Sequence, residues 1–371
     1  MFPGKKRLAF SLVIGVLFAA KAWSGEIETA GGQPIVGNGS TSTAYLAPSG
    51  IVSNDGSSFF LYVEGDDDVI HDTFFDLLYM YVSPATWSGL TSPFNQATKR
   101  TILPDPSQGQ DTAHGYEAPF VFSDAGTYYM TVAKSPNAAD FNEQLIGCST
   151  DGYTWKWRTL FTTPLGNNIQ AVTLRYGSIG GDNYWWGFLE LNPCQLAHPG
   201  VTCTTPYSGI AAIRVHLASH AASNCASPTW DRVDFRVNGA WRSILPGQQI
   251  TFTPDYISFN DIEPKLHWII DHWELWTAAV SEPNYGCGCG TSQSTHYAAG
   301  FHYRTVGVGD TTLSPATEVY SQIRCLPGNY DESRAWPFRV EGTNLLYSMT
   351  KDVSCGAGPG GHYIVVTGLT P

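Results

Sequence analysis

The sequence predicts an all-β protein, a ring of five similar units of about four strands each, which is a five-bladed β-propeller. Three observations carry that prediction. A proline- or valine-anchored hairpin recurs five times, Gly and Pro together number 61 beside 49 aromatic residues, and helical periodicity is nearly absent. Such a composition suits many short strands joined by tight turns.

The clearest hairpin runs from Tyr116 to Ser135, YEAPFVFSDAGTYYMTVAKS. Its two β-prone runs meet at Ser123-Asp124-Ala125-Gly126, a turn sequence rich in residues that tolerate left-handed backbone. Weaker copies follow the same plan at Leu46–Gly65, Asn168–Leu191, Asp261–Val280 and Arg334–Asp352. Their anchors are Pro48, Pro119, Val172, Pro264 and Pro337, spaced 71, 53, 92 and 73 residues apart. Long, variable connections between similar hairpins mark a propeller with insertions on its loop faces, in preference to a β-sandwich or β-array built of similar strands.

Further strand-like runs lie between the hairpins at Leu77–Ser83, Glu143–Ser149, Ile210–Leu217 and His296–Thr305. Each is the expected third strand of a blade. Trp-bearing segments around Trp87, Trp155/Trp157 and Trp230/Trp241 are the expected outer strands. The last run, Gly361–Pro371, is placed to close the ring against the N-terminal arm. Ser149-Thr150-Asp151-Gly152-Tyr153-Thr154-Trp155 resembles an Asp-box turn, with Asp151 and Gly152 shaping it and the tryptophan packed beneath.

The first 24 residues read as a signal peptide: Lys5, Lys6 and Arg7, then an apolar run from Leu8 to Ala20, then small residues at Ala22 and Ser24. The run is short for an uncleaved membrane anchor, the competing reading. Residues 25–45 form a polar arm, and residues 46–371 the propeller. The expected location is secreted or periplasmic, with no membrane contact beyond the signal peptide. The leader holds four of the 20 Lys and Arg and none of the 32 Asp and Glu, so the mature charge is 16 − 32 = −16. That acidity argues against nucleic acid and anionic membranes as partners and favours neutral ligands such as glycans. Oligomeric state is left open.

Eight cysteines in an exported chain favour disulfides, with Cys194–Cys203 and Cys325–Cys355 as candidate pairs. No cofactor is called for. Cys287-Gly288-Cys289 with His296 is a weak metal pattern. Asp66-Asp67-Asp68 with His71 and Asp72 reads first as a solvated loop, with structural calcium the alternative.

Innermost strands of a propeller begin at the mouth of the central channel, so residues just before each anchor should ring one funnel. They are Tyr45 and Ala47, His114 and Glu117, Gln170, Asp261 and Glu263, and Arg334 and Trp336. Three carboxylates with an arginine and aromatic rings suit acid–base work on a sugar. The catalytic candidates are Glu117, Glu263 and Asp261, and the substrate-binding candidates are His114, Gln170, Arg334, Trp336 and Tyr45.

The stretch YEAPFVFSDAGTYYM resembles the E-G-P…G-x-Y-Y-L element of glycoside hydrolase family 43, five-bladed propellers related to invertases and levansucrases. The resemblance implies hydrolysis of arabinan, xylan or related glycans, with Glu117 as general acid and Asp261 or Glu263 as its partner. It covers about fifteen residues at motif level. The family places a catalytic Asp before the first-blade proline, where this chain has Ala47, and its acid in the third blade, where this chain has Gln170. A non-catalytic propeller that binds glycan or protein at the same funnel is the alternative, and a structural or adhesive propeller the third.

Overall fold

All five hairpins fold within a sheet of their own, as its two innermost strands in four blades and, in the last, beside a three-residue edge strand. The computed structural model describes residues 33–37, 44–66, 77–110, 114–135, 142–164, 168–192, 209–220, 225, 230–259, 261–280, 298–319, 324–326, 330–354 and 362–369. Strand β1 (Gln33–Val36) comes first among the described residues. Blade I holds β2 (Ala44–Val52), β3 (Ser58–Asp66), β4 (Leu77–Pro84) and β5 (Arg100–Leu103). Blade II holds β6 (Gly115–Asp124), β7 (Thr127–Ser135), β8 (Glu143–Ser149) and β9 (Lys156–Thr162). Blade III holds β10 (Asn168–Ile179), β11 (Asp182–Asn192), β12 (Gly209–Leu217), β13 (Trp230–Val237) and β14 (Ala240–Ile244). Strand β15 (Tyr256–Phe259) adds to β12. Blade IV holds β16 (Asp261–Ile269), β17 (His272–Val280), β18 (Ala298–Val306) and β19 (Thr317–Glu318). Blade V holds β20 (Arg324–Leu326), β21 (Tyr330–Arg339), β22 (Leu345–Ser354) and β23 (His362–Gly368).

Blades I, II and IV run antiparallel in chain order from the inside out, and blade III does so through β14. Blade V is different: its order is β1-β23-β22-β21-β20, so the N-terminal strand completes the last blade. This is the closure expected of the C-terminal run. The third strands fall at the expected runs. The Trp87 segment does not form an outer strand. Thr86 caps a short helix, α1 (Trp87–Thr91), by accepting the Gly89 N–H at 3.2 Å, and the outer strand of blade I is β5.

The blades stack face to face, so their inner strands are buried on both sides. In β7, Tyr128, Met130 and Val132 pack toward blade I while Tyr129 packs toward blade III. Each junction between neighbouring blades has its own apolar cluster. Strand alternation therefore serves two cores at once, and most positions read apolar. Turns supply the reversals: Gly126 at φ 80° and the Gly180–Gly181 pair at 64° and 95° occupy left-handed backbone that costs glycine nothing.

The Asp-box turn between β8 and β9 is structural. Asp151 Oδ1 accepts the Tyr153 and Thr154 N–H groups at 2.8 and 2.7 Å, and buried Trp155 donates from Nε1 to Gly152 O at 3.2 Å. A disulfide between Cys148 and Cys225 joins blade II to the segment between β12 and β13 of blade III. The expected pairs Cys194–Cys203 and Cys325–Cys355 lie outside the described side chains, as do the Cys287–Cys289 pattern and the Asp66–Asp72 loop.

Candidate active site

The site starts from a backbone irregularity that four blades share. In each of blades I, II, IV and V the innermost strand breaks register at a left-handed residue followed by proline: Ala47-Pro48, Ala118-Pro119, Glu263-Pro264 and Trp336-Pro337. Their φ angles lie between 46° and 58°. Proline fits because it has no N–H to give the ladder, and the bulge turns the preceding side chain out of the blade plane. Blade III has no proline. There Thr173 Oγ1 accepts the Leu266 N–H as Ser49 Oγ accepts the Val121 N–H, each at 2.9 Å, so Val172 holds the proline's place. Ala47, Ala118, Ala171 and Trp336 consequently meet in one cluster at the axis.

A bulge leaves its N–H unmatched within the blade, and a buried N–H needs a partner. Carboxylates from the neighbouring blade supply it. Glu64 Oε2 accepts the Ala118 N–H at 3.0 Å, and Glu190 Oε2 accepts the Glu263 N–H at 2.8 Å. Glu64 and Glu190 end the rows Phe60-Tyr62-Glu64 and Trp186-Phe188-Glu190, which face the next blade. Blade IV has Ala278 in that place, and Glu263 itself accepts the Trp336 N–H. Lys265 stands among these groups, fully buried, with Nζ donating to Pro119 O at 2.7 Å and lying 5.8 Å from the Trp336 ring centre.

Burial drives the cluster toward its neutral forms. It pushes the Glu190 carboxyl up to about 7, against the pull of the Glu263 N–H and Lys265. It lifts Glu263 well above the carboxylate range, with the charge of Glu190 adding to the effect. It brings Lys265 down to about 7 although three glutamates, Glu263, Glu64 and Glu190, favour its charge. Perturbed groups gathered in one place mark candidate functional sites.

Beyond Lys265 the axis is filled. His267 is completely buried, and its ring meets Phe120 and Phe338 at 6.2 and 4.8 Å between centres. Among the described residues neither ring nitrogen has a hydrogen-bond partner, and burial with the Arg175 charge holds its pKa well below the usual value. Arg175 lies over Phe120 at 4.8 Å and pairs with Glu341.

The sequence candidates take different places around this centre. Glu117 is 8% exposed and adjoins Ala118 at the bulge. Trp336, also 8% exposed, is at the axis. His114 is half-buried just before β6. Tyr45 is buried in the junction of blades V and I, edge-on to Tyr79 and Tyr81, and its hydroxyl accepts a hydrogen bond from Lys99 Nζ at 3.2 Å. Gln170 and Arg334 lie in β10 and β21, and only their backbone is described. Asp261 is saturated: Thr277 Oγ1 and His302 Nδ1 lie 2.9 Å from Oδ1, and Arg304 Nη2 2.7 Å from Oδ2, where the Ser258 hydroxyl also donates. Burial raises this carboxyl, but those hydrogen bonds and the Arg304 charge win and hold it at about 2.

Three residues of the cluster, Glu64, Glu190 and Lys265, escaped the sequence reading as site members. The available signal was a carboxylate ending an otherwise apolar strand, in LYVEG and FLEL, beside a lysine just after the Glu263-Pro264 anchor. Among the described residues no group of three or more His, Cys, Asp or Glu is arranged to hold a metal ion.

Fold and site together define a five-bladed propeller with a buried acid–base cluster at one end of its axis. No family model and no curated protein matches the sequence. Among solved structures it is similar to a Bacillus subtilis arabinanase, at 14% identity over 89% of this chain and 96% of that one, with a TM-score of 0.49. An α-L-arabinofuranosidase from Lactobacillus brevis gives 13%, 93%, 93% and 0.49. A family 117 glycoside hydrolase from Zobellia galactanivorans gives 9%, 91%, 89% and 0.48. The five-sheet ring itself rests on the chain's own strand pairing.

Proposed function

We propose that this chain is an exported carbohydrate-active propeller, a glycosidase whose carboxyl pair is Glu117 and Glu263. The observation that carries the reading is the convergence of buried ionisable groups, Glu64 of blade I with the perturbed Glu190, Glu263 and Lys265 of blades III and IV, on the bulges at the axis, where Glu117 adjoins Ala118 and Trp336 lies close to Lys265. Glycoside hydrolysis needs one carboxyl that holds a proton and one that is ionised. Burial keeps the proton on Glu263, so Glu263 is the donor to the leaving oxygen. Glu117 is the carboxylate that activates water or attacks carbon, the reverse of the division implied by the motif resemblance. Burial raises the Glu263 carboxyl against the opposing pull of Lys265, and Trp336 offers a ring to a sugar face. Asp261, held ionised by its partners, is a poor proton donor and serves to fix blade IV.

The test is a screen of aryl-glycosides and polysaccharides with wild type, Glu117→Gln and Glu263→Gln. Each variant should lose 10²- to 10⁴-fold in kcat, on the order expected for acid–base groups. Sugar release that survives both substitutions would sink this site. One observation favours a second reading, a glycan-binding propeller without hydrolysis: a methyl group, Ala47, stands at the first-blade bulge. That reading expects no sugar release from any substrate and unchanged glycan affinity in both variants.

A further inference from the structure

We infer that the β16–β17 turn, at the opposite end of the axis from the mouth, is a second glycan-binding ledge that takes a neutral polysaccharide chain. The inference rests on the carbohydrate reading of the mouth but uses none of its residues. Trp268 is 41% exposed and Ile270 76% exposed, two of the five large apolar side chains turned to solvent among the described residues. Trp268 is held in place by aromatic packing: its ring meets Trp273 at 4.9 Å and 66°, and Trp273 meets buried Trp186 at 5.8 Å and 89°. An exposed indole on so firm a support is a prepared stacking surface, not a loose side chain.

Ile270 adds an independent observation. Its φ is 52°, in the turn where glycine or asparagine is favoured. A β-branched residue pays for left-handed backbone, and its exposure returns nothing in burial. No folding requirement selects isoleucine here, and strain retained at a surface points to a binding role.

Polar groups flank the ledge at fixed positions. The Glu341 carboxylate pairs with Arg175 and accepts the Trp268 N–H at 3.3 Å through Oε1, while its side chain remains 42% exposed. His272 is oriented by Asp271 at 2.7 Å and Glu274 at 3.1 Å. A flat apolar face beside fixed hydroxyl acceptors suits the C–H face and the ring hydroxyls of a sugar. Glu341 is ion-paired with Arg175 and Asp271 lies 2.7 Å from His272, so the charges beside the ledge are matched and favour a neutral occupant. Trp268 lies five residues along β16 from Glu263, about 16 Å at strand rise. The same sugar cannot occupy both places, so the ledge tethers a polymer and raises its local concentration at the mouth.

The experiment is affinity electrophoresis in gels containing arabinan, xylan or mixed-linkage glucan, paired with rates on polysaccharide and on a small aryl-glycoside. Wild type, Trp268→Ala, Ile270→Asn and Glu117→Gln are compared. Trp268→Ala should weaken polysaccharide binding by about tenfold, as loss of an aromatic anchor does, Ile270→Asn should weaken it as well, and both should leave the aryl-glycoside rate unchanged. Ile270→Asn relieves the turn and should fold at least as well as wild type, which separates lost binding from lost folding. Glu117→Gln should keep its retardation. Absence of hydrolysis with retardation still dependent on Trp268 would fail the mouth and leave the ledge standing. Retardation unchanged by both ledge substitutions, or no retardation of wild type in any gel, would overturn the ledge. So would a concentration-dependent dimer in sedimentation that Trp268→Ala abolishes, since the face would then join two copies.

Discussion

At the scale of single residues, the same side-chain chemistry is put to opposite uses within one strand. Asp261 and Glu263 lie two positions apart in β16, yet four partners hold Asp261 ionised while burial keeps the proton on Glu263. The consequences for pH differ in sign. Asp261 has a folded pKa of about 2 against 3.8, so its contribution is present above pH 3.8 and is lost as pH falls toward 2. That contribution is on the order of 2 kcal/mol. Asp261→Asn should be less stable at neutral pH, because Arg304 loses its buried partner, and should lose this part of the acid slope. Urea unfolding at pH 6 and pH 2.5 checks it: an undiminished loss of stability between the two pH values in the variant would clear Asp261 of the role. Glu263 runs the other way. A donor with a raised pKa is competent at low pH and is lost as pH rises through that value, so kcat should fall on an alkaline limb lying above the ordinary carboxylate range. A kcat profile whose alkaline limb falls within the ordinary carboxylate range would contradict the assignment.

At the scale of elements, the innermost strand with its bulge is the unit that makes both the ring and the site. Its left-handed residue aims a side chain at the axis, and its stranded N–H demands a carboxylate from next door. Glu64→Ala should therefore cost more than a lost contact: it leaves the buried Ala118 N–H unsatisfied, about 1–3 kcal/mol. Glu64→Gln keeps an acceptor and should recover most of it. Thermal unfolding of the two variants decides, and equal losses would show that the charge, not the acceptor, matters. Much of this element was legible in the sequence. Pro48, Pro119, Pro264 and Pro337 announced it because proline is tolerated in a sheet only where the ladder is already broken. Val172 could be aligned with them by its flanking pattern alone. Glu64 and Glu190 were not legible as site residues, because their partners are backbone groups of another blade. Sequence spacing carries no trace of such a pairing.

At the scale of the whole molecule, a ring of blades is only as cooperative as its joints, and two joints carry extra ties. The Cys148–Cys225 disulfide spans 77 residues at the junction of blades II and III. Strand β1 secures the other, between blades V and I: it pairs with β23, while the Phe94 N–H of blade I donates to Ile35 O at 2.8 Å. The Tyr347 hydroxyl of blade V donates to Leu90 O at 2.7 Å across the same joint. Ile35 and Val36 are buried, at 1% and 0% exposure, so four residues far from the rest of blade V in sequence complete its core. Ile35→Ala should lower stability by about 2–4 kcal/mol, the cost of emptying a buried aliphatic site. Removing residues 1–36 should do more, exposing the β23 edge as well as the apolar face of blade I. Tryptophan fluorescence during urea unfolding gives the comparison, with a chain beginning at residue 25 as reference. A lower midpoint with an unchanged slope means that β1 fastens a ring which still opens as one unit. A second transition would mean that blade V detaches before the others. An unchanged midpoint would show that the joint holds through Tyr347 and the blade faces without β1.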